Sequence, residues 1–352
     1  MKKQIHEIYW IRAIACLTVV MIHSLTRTYA TYDLPNSTVD FIRSIQIVLL
    51  YATPMFILIS EIVIAKVYPD KLPGSFYKKR FLFLFLPYVF TPFLYGLFHL
   101  LVENDSWRIV KNGIMDKLLL GAWHGYFIII ILQFVLIHYL FIRFLKNVSP
   151  WLILSFTFVI NVAYLAIANL RSDLLPQLMQ DQLSFVRMPF LAWIFYFGVA
   201  FYVGKYMEEV KANKSWGFPM AIVATGVTGF LLFKIFTSGI FTQLSSVRLD
   251  IMFYTISLFF VLLFLFSYFP NVPGAVMFIS KYSFQIFLLH FLAFDIADLF
   301  LPEMDIRAYA LVMFLAGLFG SVLLAIAINL LPIGKYIVGP IRAMPKVRKE
   351  KG

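Results

Sequence analysis

Residues 8–26 read IYWIRAIACLTVVMIHSLT. A run of this length and apolarity spans a bilayer as an α-helix, which takes ~20 residues. It follows Lys2 and Lys3, the layout of a secretory signal. It is longer than a signal's apolar stretch, contains Arg12 and has no small-x-small cleavage site after it, so it reads as a retained first helix. Arg12 and His23 are eleven residues apart. At 100° per residue they fall within about 20° of one helix face, separated by a rise of about 16 Å. One side of this helix therefore carries a guanidinium toward one leaflet and an imidazole toward the other.

Nine further apolar stretches follow, near residues 42–65, 81–101, 126–145, 151–169, 189–205, 217–237, 251–269, 278–299 and 308–331. The composition agrees. Of 352 residues 61% are hydrophobic and 14% charged, against about 45–50% and 25% in soluble domains. A soluble enzyme, a disordered chain and a single-anchor protein are excluded. The fold class is all-α: a polytopic membrane protein of about ten transmembrane helices. It forms one domain over residues 1–352, with spans over about 8–331 and a basic tail at 335–352. No loop is long enough for a soluble domain. Cys16 is the one cysteine, which leaves no intrachain disulfide and no thiolate metal site.

The net charge of +12 would suggest nucleic acid in a soluble protein. Here it belongs to loops, and no nucleic-acid partner is expected. With the N-terminus inside, nineteen of the thirty Lys and Arg fall on the inner side, ten on the outer, and Arg12 lies within a helix. That asymmetry predicts both termini in the cytoplasm of a multi-pass cell-membrane protein. Gly317, Gly320, Ser321 and Ala325 form a small-residue strip on the last helix, which predicts close helix packing.

Ionisable groups within spans are costly and mark function. Glu61 sits at the depth of Arg12, so a buried Arg12–Glu61 pair is expected. His290 lies in the outer half of the ninth stretch, with Asp295 and Asp298 further out. His124 adjoins the fourth. His23, His124 and His290 thus all tend outward, and a histidine is the natural general base for a hydroxyl acceptor. His99 and His138 read as interfacial hydrogen-bonding residues. No HxH or HExxH spacing supports zinc, and no metal is expected. Lys78, Lys79, Arg80 and Lys281 collect on the inner side, Lys78 and Lys79 as an ordinary positive-inside anchor that also offers cations to a polyphosphate.

These residues resemble a known family. Arg12-x10-His23 on a first helix is similar to the signature of the acyltransferase family 3 membrane proteins, which O-acylate cell-envelope glycans. The stretch from Met55 to Ser60 resembles the family's aromatic-rich segment ending in Leu-Ser-Gly, with Glu61 in place of Gly. Arg80 before Pro87-Tyr88 resembles the start of its paired-arginine motif, although Phe83 and Leu84 stand where the second arginine belongs. His124-Gly125-Tyr126-Phe127 resembles a His-x-Trp-Phe motif, and Tyr282-Ser283 through His290 a Tyr-Ser…His segment. The resemblance covers nearly the whole chain and is closest to the poly-N-acetylglucosamine, or intercellular-adhesin, subgroup.

The resemblance implies transfer of an acetyl or succinyl group from cytoplasmic acyl-CoA (acetyl-CoA or succinyl-CoA) to a hydroxyl of an extracytoplasmic glycan. It implies a catalytic set of His23, Arg12 and His290. Arg12, Arg80, Lys78, Lys79, Tyr282 and Ser283 would meet the CoA, and Trp123, His124, Tyr126 and Glu61 the acceptor. Membrane lipids and glycan synthase subunits are the further partners implied. The competing expectation is an exporter or flippase for the same polysaccharide, with an interaction-only synthase subunit as a third.

Overall fold

The computed structural model describes residues 5–341. Residues 342–352 of the basic tail, with Arg342, Lys346, Arg348, Lys349 and Lys351, lie outside the described residues. Among the described residues there are helices and no strand, as backbone in hydrocarbon requires. The order is α1 (His6–Thr31), α2 (Asn36–Leu49), α3 (Ala52–Val67) and α4 (Gly74–Arg80), which runs through a π-helical turn (Phe81–Phe85) into α5 (Leu86–Leu101). Then come α6 (Trp107–Leu119), α7 (Tyr126–Phe144), α8 (Pro150–Leu170), α9 (Gln177–Asp181), α10 (Leu183–Arg187), α11 (Ile194–Lys205) and α12 (Met207–Ala212). The chain ends in α13 (Lys214–Thr237), α14 (Leu249–Phe266), α15 (Gly274–Asp298), α16 (Ile306–Leu315), a second π-turn (Ala316–Gly320), α17 (Ser321–Asn329) and α18 (Gly334–Ile337).

Nine helical stretches among the described residues are long and apolar enough to cross a membrane. They match nine of the ten expected segments. The exception is 189–205. A 3-10 turn over Phe190–Ala192 follows Pro189, and regular helix covers only the twelve residues of α11. Twelve residues rise about 18 Å, well short of the ~30 Å hydrocarbon core. Every residue from Tyr196 to Gly204 is buried, and α11 lies between α3 and α8. Irregular backbone is tolerated at its start because its N–H groups find partners there: Phe190 N–H donates to Gln133 Oε1 at 2.8 Å and Trp193 N–H to the Phe190 carbonyl at 2.9 Å.

Close approach makes this possible. A Cβ on Gly204 would sit 2.6 Å from the Ile62 carbonyl oxygen and 2.8 Å from the Ala65 Cβ. Gly204→Ala is expected to cost ~1–3 kcal/mol by overpacking, read as a lowered unfolding temperature of the detergent-solubilised protein. Gly226→Ala, which meets open space, should not lower it. A result in which both variants match wild type would remove the steric argument.

Helix α1 is central, packing on α3, α14, α15 and α16 through a buried face that includes Ile8, Ile11, Ala15, Val19 and Ile22. The small-residue strip does pack closely. A Cβ on Gly317 would lie 2.9 Å from Val20, and Ser321 and Ala325 are fully buried. Two prolines shape the rest. Pro54 has no N–H to give the Leu50 carbonyl; the chain breaks there between α2 and α3, and the Ser246 hydroxyl donates to that carbonyl at 3.4 Å. Pro87 likewise cannot serve Phe83, and the register widens so that Leu86 N–H donates to the Phe81 carbonyl, a π-type bond.

Candidate active site

His23 stands on α1, in the half of the bundle away from the N-terminus. His290 comes from α15, and His124 from the loop between α6 and α7. The fold brings all three together. Ring centroids are 5.1 Å apart for His23 and His290 and 4.8 Å for His124 and His290. Phe291 lies against each of them, at 4.7, 5.0 and 4.6 Å.

The hydrogen bonds assign two tautomers. His290 Nδ1 lies 2.9 Å from the Phe287 carbonyl and 3.1 Å from that of Ile286. A carbonyl only accepts, so Nδ1 carries the hydrogen and Nε2 keeps a lone pair. That Nε2 is buried without a hydrogen-bond partner. His124 is reversed: its Nε2–H donates to the Leu288 carbonyl at 3.2 Å, and Nδ1 keeps the lone pair. Tyr95 of α5 braces the same turn. Its hydroxyl donates to the Leu288 carbonyl at 2.9 Å and accepts from Leu292 N–H at 3.3 Å. Nothing in the local sequence distinguishes Tyr95 from the other aromatics of α5.

A cavity of about 290 Å³ opens beside these rings, walled by His23, His124, Trp123, Tyr126, Phe291 and Arg187 among others. The α2–α3 break contributes Leu50 and Thr53, and the segment before α14 contributes Ser245 and Ser246. His290 is fully buried behind His23. Beyond the cavity Arg27 bridges α1 to α15, with Nε 2.6 Å from Asp298 and Nη2 3.2 Å from Asp295. The Tyr309 hydroxyl donates to Asp298 at 2.7 Å. The sequence marked these two aspartates but not their arginine.

The half near the N-terminus differs from expectation. Glu61 does not take Arg12 as its hydrogen-bond partner. His138 of α7 holds it, Nδ1 to Oε1 at 2.6 Å, with both side chains fully buried. The second nitrogen, Nε2, donates to the Tyr68 carbonyl at 3.0 Å. Because Nε2 must carry a hydrogen, one shared proton lies between His138 and Glu61, and the pair is neutral overall in either arrangement. Arg80, lying over the Phe76 ring at 4.8 Å, adds its charge to the field at Glu61. His138 was legible only as an interfacial residue. Depth along α3 and α7 allows the pairing, and helix packing selects it over Arg12.

Arg12 is half-buried on α1, and Arg80 is half-buried at the end of α4, whereas Lys78 and Lys79 are exposed. Tyr282 and Ser283 are buried on α15, about 11 Å along the helix from His290. Lys281 lies over the Tyr282 ring at 4.9 Å, and the Ser283 hydroxyl donates to the Ser280 carbonyl at 2.9 Å. Among the described residues, the His99, Glu103 and Asp105 side chains offer metal-ligating atoms within 4.8 Å of one another. His99 sits in the last turn of α5, bonded to Glu103 at 2.5 Å.

The sequence profile described as "Acyltransferase domain" matches residues 5–330. The Bacillus subtilis (strain 168) protein named "Putative membrane-bound acyltransferase YfiQ" is 34% identical, covering 98% of this chain and 97% of its own. A Staphylococcus aureus (strain Mu50 / ATCC 700699) protein named "Probable poly-beta-1,6-N-acetyl-D-glucosamine export protein" is 24% identical, covering 84% of each chain. A Staphylococcus epidermidis protein of the same name is 26% identical over 84% of this chain and 82% of its own. No solved structure matches. The match spans the first helix through the small-residue strip, and with it the histidine cluster: this chain belongs to the acyltransferase family 3 of multi-pass membrane proteins.

Proposed function

We propose that the protein moves an acetyl or succinyl group from cytoplasmic acyl-CoA to a hydroxyl of an extracytoplasmic glycan, with poly-N-acetylglucosamine the leading acceptor. One observation carries this reading: His23 lines a cavity, and the fully buried His290 ring packs 5.1 Å from it on the side away from solvent. In this reading the acceptor oxygen attacks the thioester carbon, and a C–O bond forms as the C–S bond breaks. His23 takes the hydroxyl proton, which ends on the departing sulfur, so CoA leaves as its thiol. His290 positions His23, and Trp123 and Tyr126 offer faces for the sugar ring. Arg12 and Arg80 meet the CoA phosphates, with Lys78 and Lys79 at the same mouth and Tyr282 and Ser283 along the route. Glu61, enclosed with His138, joins α3 to α7 instead of meeting a sugar.

Export is the second reading, favoured by the names of the staphylococcal relatives. A moving chain needs a continuous polar path, whereas aromatic rings wall much of the cavity beside His23. Purified protein given radiolabelled acetyl- or succinyl-CoA and a glucosamine oligomer is expected to label the oligomer. No label, together with release of unmodified polymer across a vesicle membrane, would reject the enzyme in favour of the exporter.

A further inference from the structure

We propose that the cavity beside His23 contains a subsite for an anion with paired oxygens, a carboxylate or a phosphate, held by Arg187. The proposal deepens the acyl-transfer reading and takes from it the assignment of this cavity to substrate.

Arg187 closes α10, and its backbone is pinned: the Trp193 indole N–H donates to its carbonyl at 2.7 Å. The guanidinium lies over the Tyr126 ring at 4.3 Å and forms part of the cavity wall. Nη2 donates to the Gly121 carbonyl at 3.3 Å and contacts the Ser184 hydroxyl at 3.5 Å. Nε is buried with no hydrogen-bond partner. A guanidinium offers five N–H donors in a planar fork, so these contacts leave donors over, one of them shut away from water.

Three other arginines of this half are paired with acids, whereas Arg43 donates to the Thr242 carbonyl and the exposed Arg108 and Arg307 make no ion pair among the described residues. Arg27 meets Asp295 and Asp298, Arg171 meets Asp173, and Arg248 meets Asp250. Arg187 makes no ion pair with a carboxylate among the described residues, and no Asp or Glu lines the cavity. A partly buried charge without a counter-charge is unfavourable, and the Tyr126 face offsets only part of that. The wall thus combines a cation, imidazoles and the Ser245 and Ser246 hydroxyls with no acid. Such a wall suits an anion, and the guanidinium fork suits two oxygens. The anion has two sources in this reaction: the free carboxylate of a dicarboxylic acyl group on the donor, or a phosphate carried by the acceptor.

The first measurement is independent of turnover. Thermal unfolding of the purified protein is followed in sodium succinate or sodium phosphate, against sodium chloride at matched ionic strength. Wild type is expected to gain a few degrees in at least one of these anions, Arg187→Gln to lose the gain, and Arg187→Lys to keep part of it. No gain in wild type, or an equal gain in Arg187→Gln, overturns the subsite even if the protein proves to be an acyltransferase. Transfer then separates the sources. If the anion is on the donor, Arg187→Gln lowers the ratio of succinyl to acetyl transfer about 30-fold. If it is on the acceptor, that ratio holds and the preference for a glycerol-phosphate polymer over a neutral glucosamine oligomer falls instead. An equal loss in every combination makes Arg187 purely structural and overturns the proposal.

Discussion

His23→Ala is expected to lower acyl transfer ~100-fold or more, the usual contribution of a positioned general base, while the protein stays folded. The imidazole lines a cavity, so its loss enlarges existing space and removes the ring contacts with Phe291 and His290. His290→Ala acts through His23 in this scheme, and residues that act as a unit are not additive. The double variant His23→Ala with His290→Ala should therefore be little slower than His23→Ala alone. Initial rates with labelled acyl-CoA, compared at equal folded protein by size-exclusion chromatography, check both statements. Transfer by His23→Ala within a few-fold of wild type would assign the base elsewhere, with His124 Nδ1 the remaining lone pair at the cavity wall. Family membership would be untouched by that result.

The second large effect is on stability. Removing one side of the Glu61–His138 pair leaves a fully buried polar atom without its partner (His138 Nδ1 in one case, the Glu61 carboxyl in the other), at a cost of about 3 kcal/mol. Glu61→Ala and His138→Ala should each show this as a marked fall in unfolding temperature. Glu61→Gln should lose far less, because its amide N–H can donate to His138 Nδ1 while Nε2–H stays on the Tyr68 carbonyl. The double alanine variant should lose less than the sum of the singles, since the two residues share one interaction. Lys79→Ala, at an exposed position, is the control. Should Glu61→Ala unfold at the same temperature as Lys79→Ala, the pair is not a structural tie. Should Glu61→Gln instead remain folded but lose transfer, the shared proton has a part in the chemistry.

Much of the architecture was legible because hydrocarbon imposes local rules. Helix length, the apolar runs and the small-residue strip at Gly317–Ala325 are properties of short windows, and nine segments match. The stretch from 189 to 205 was misleading because hydropathy reports burial without saying in what. Its apolar residues from Tyr196 to Gly204 are buried against protein, chiefly α3 and α8, so a short helix suffices. The site was legible in part. Eleven residues at helical spacing put Arg12 and His23 on one face of α1 without any tertiary information.

The amino-acid sequence alone determined that the chain is a helical membrane protein, and that a histidine stands on the first helix above an arginine. Each follows from the backbone's need to bond to itself in lipid and from a fixed rotation per residue. Only the tertiary structure decided which side chains meet: His23 with His290 and His124, Glu61 with His138 in place of Arg12, and Arg187 with a cavity instead of a carboxylate. Those choices depend on how separate helices rotate and slide against one another. Depth along each helix narrows the partners to a few, and packing picks one.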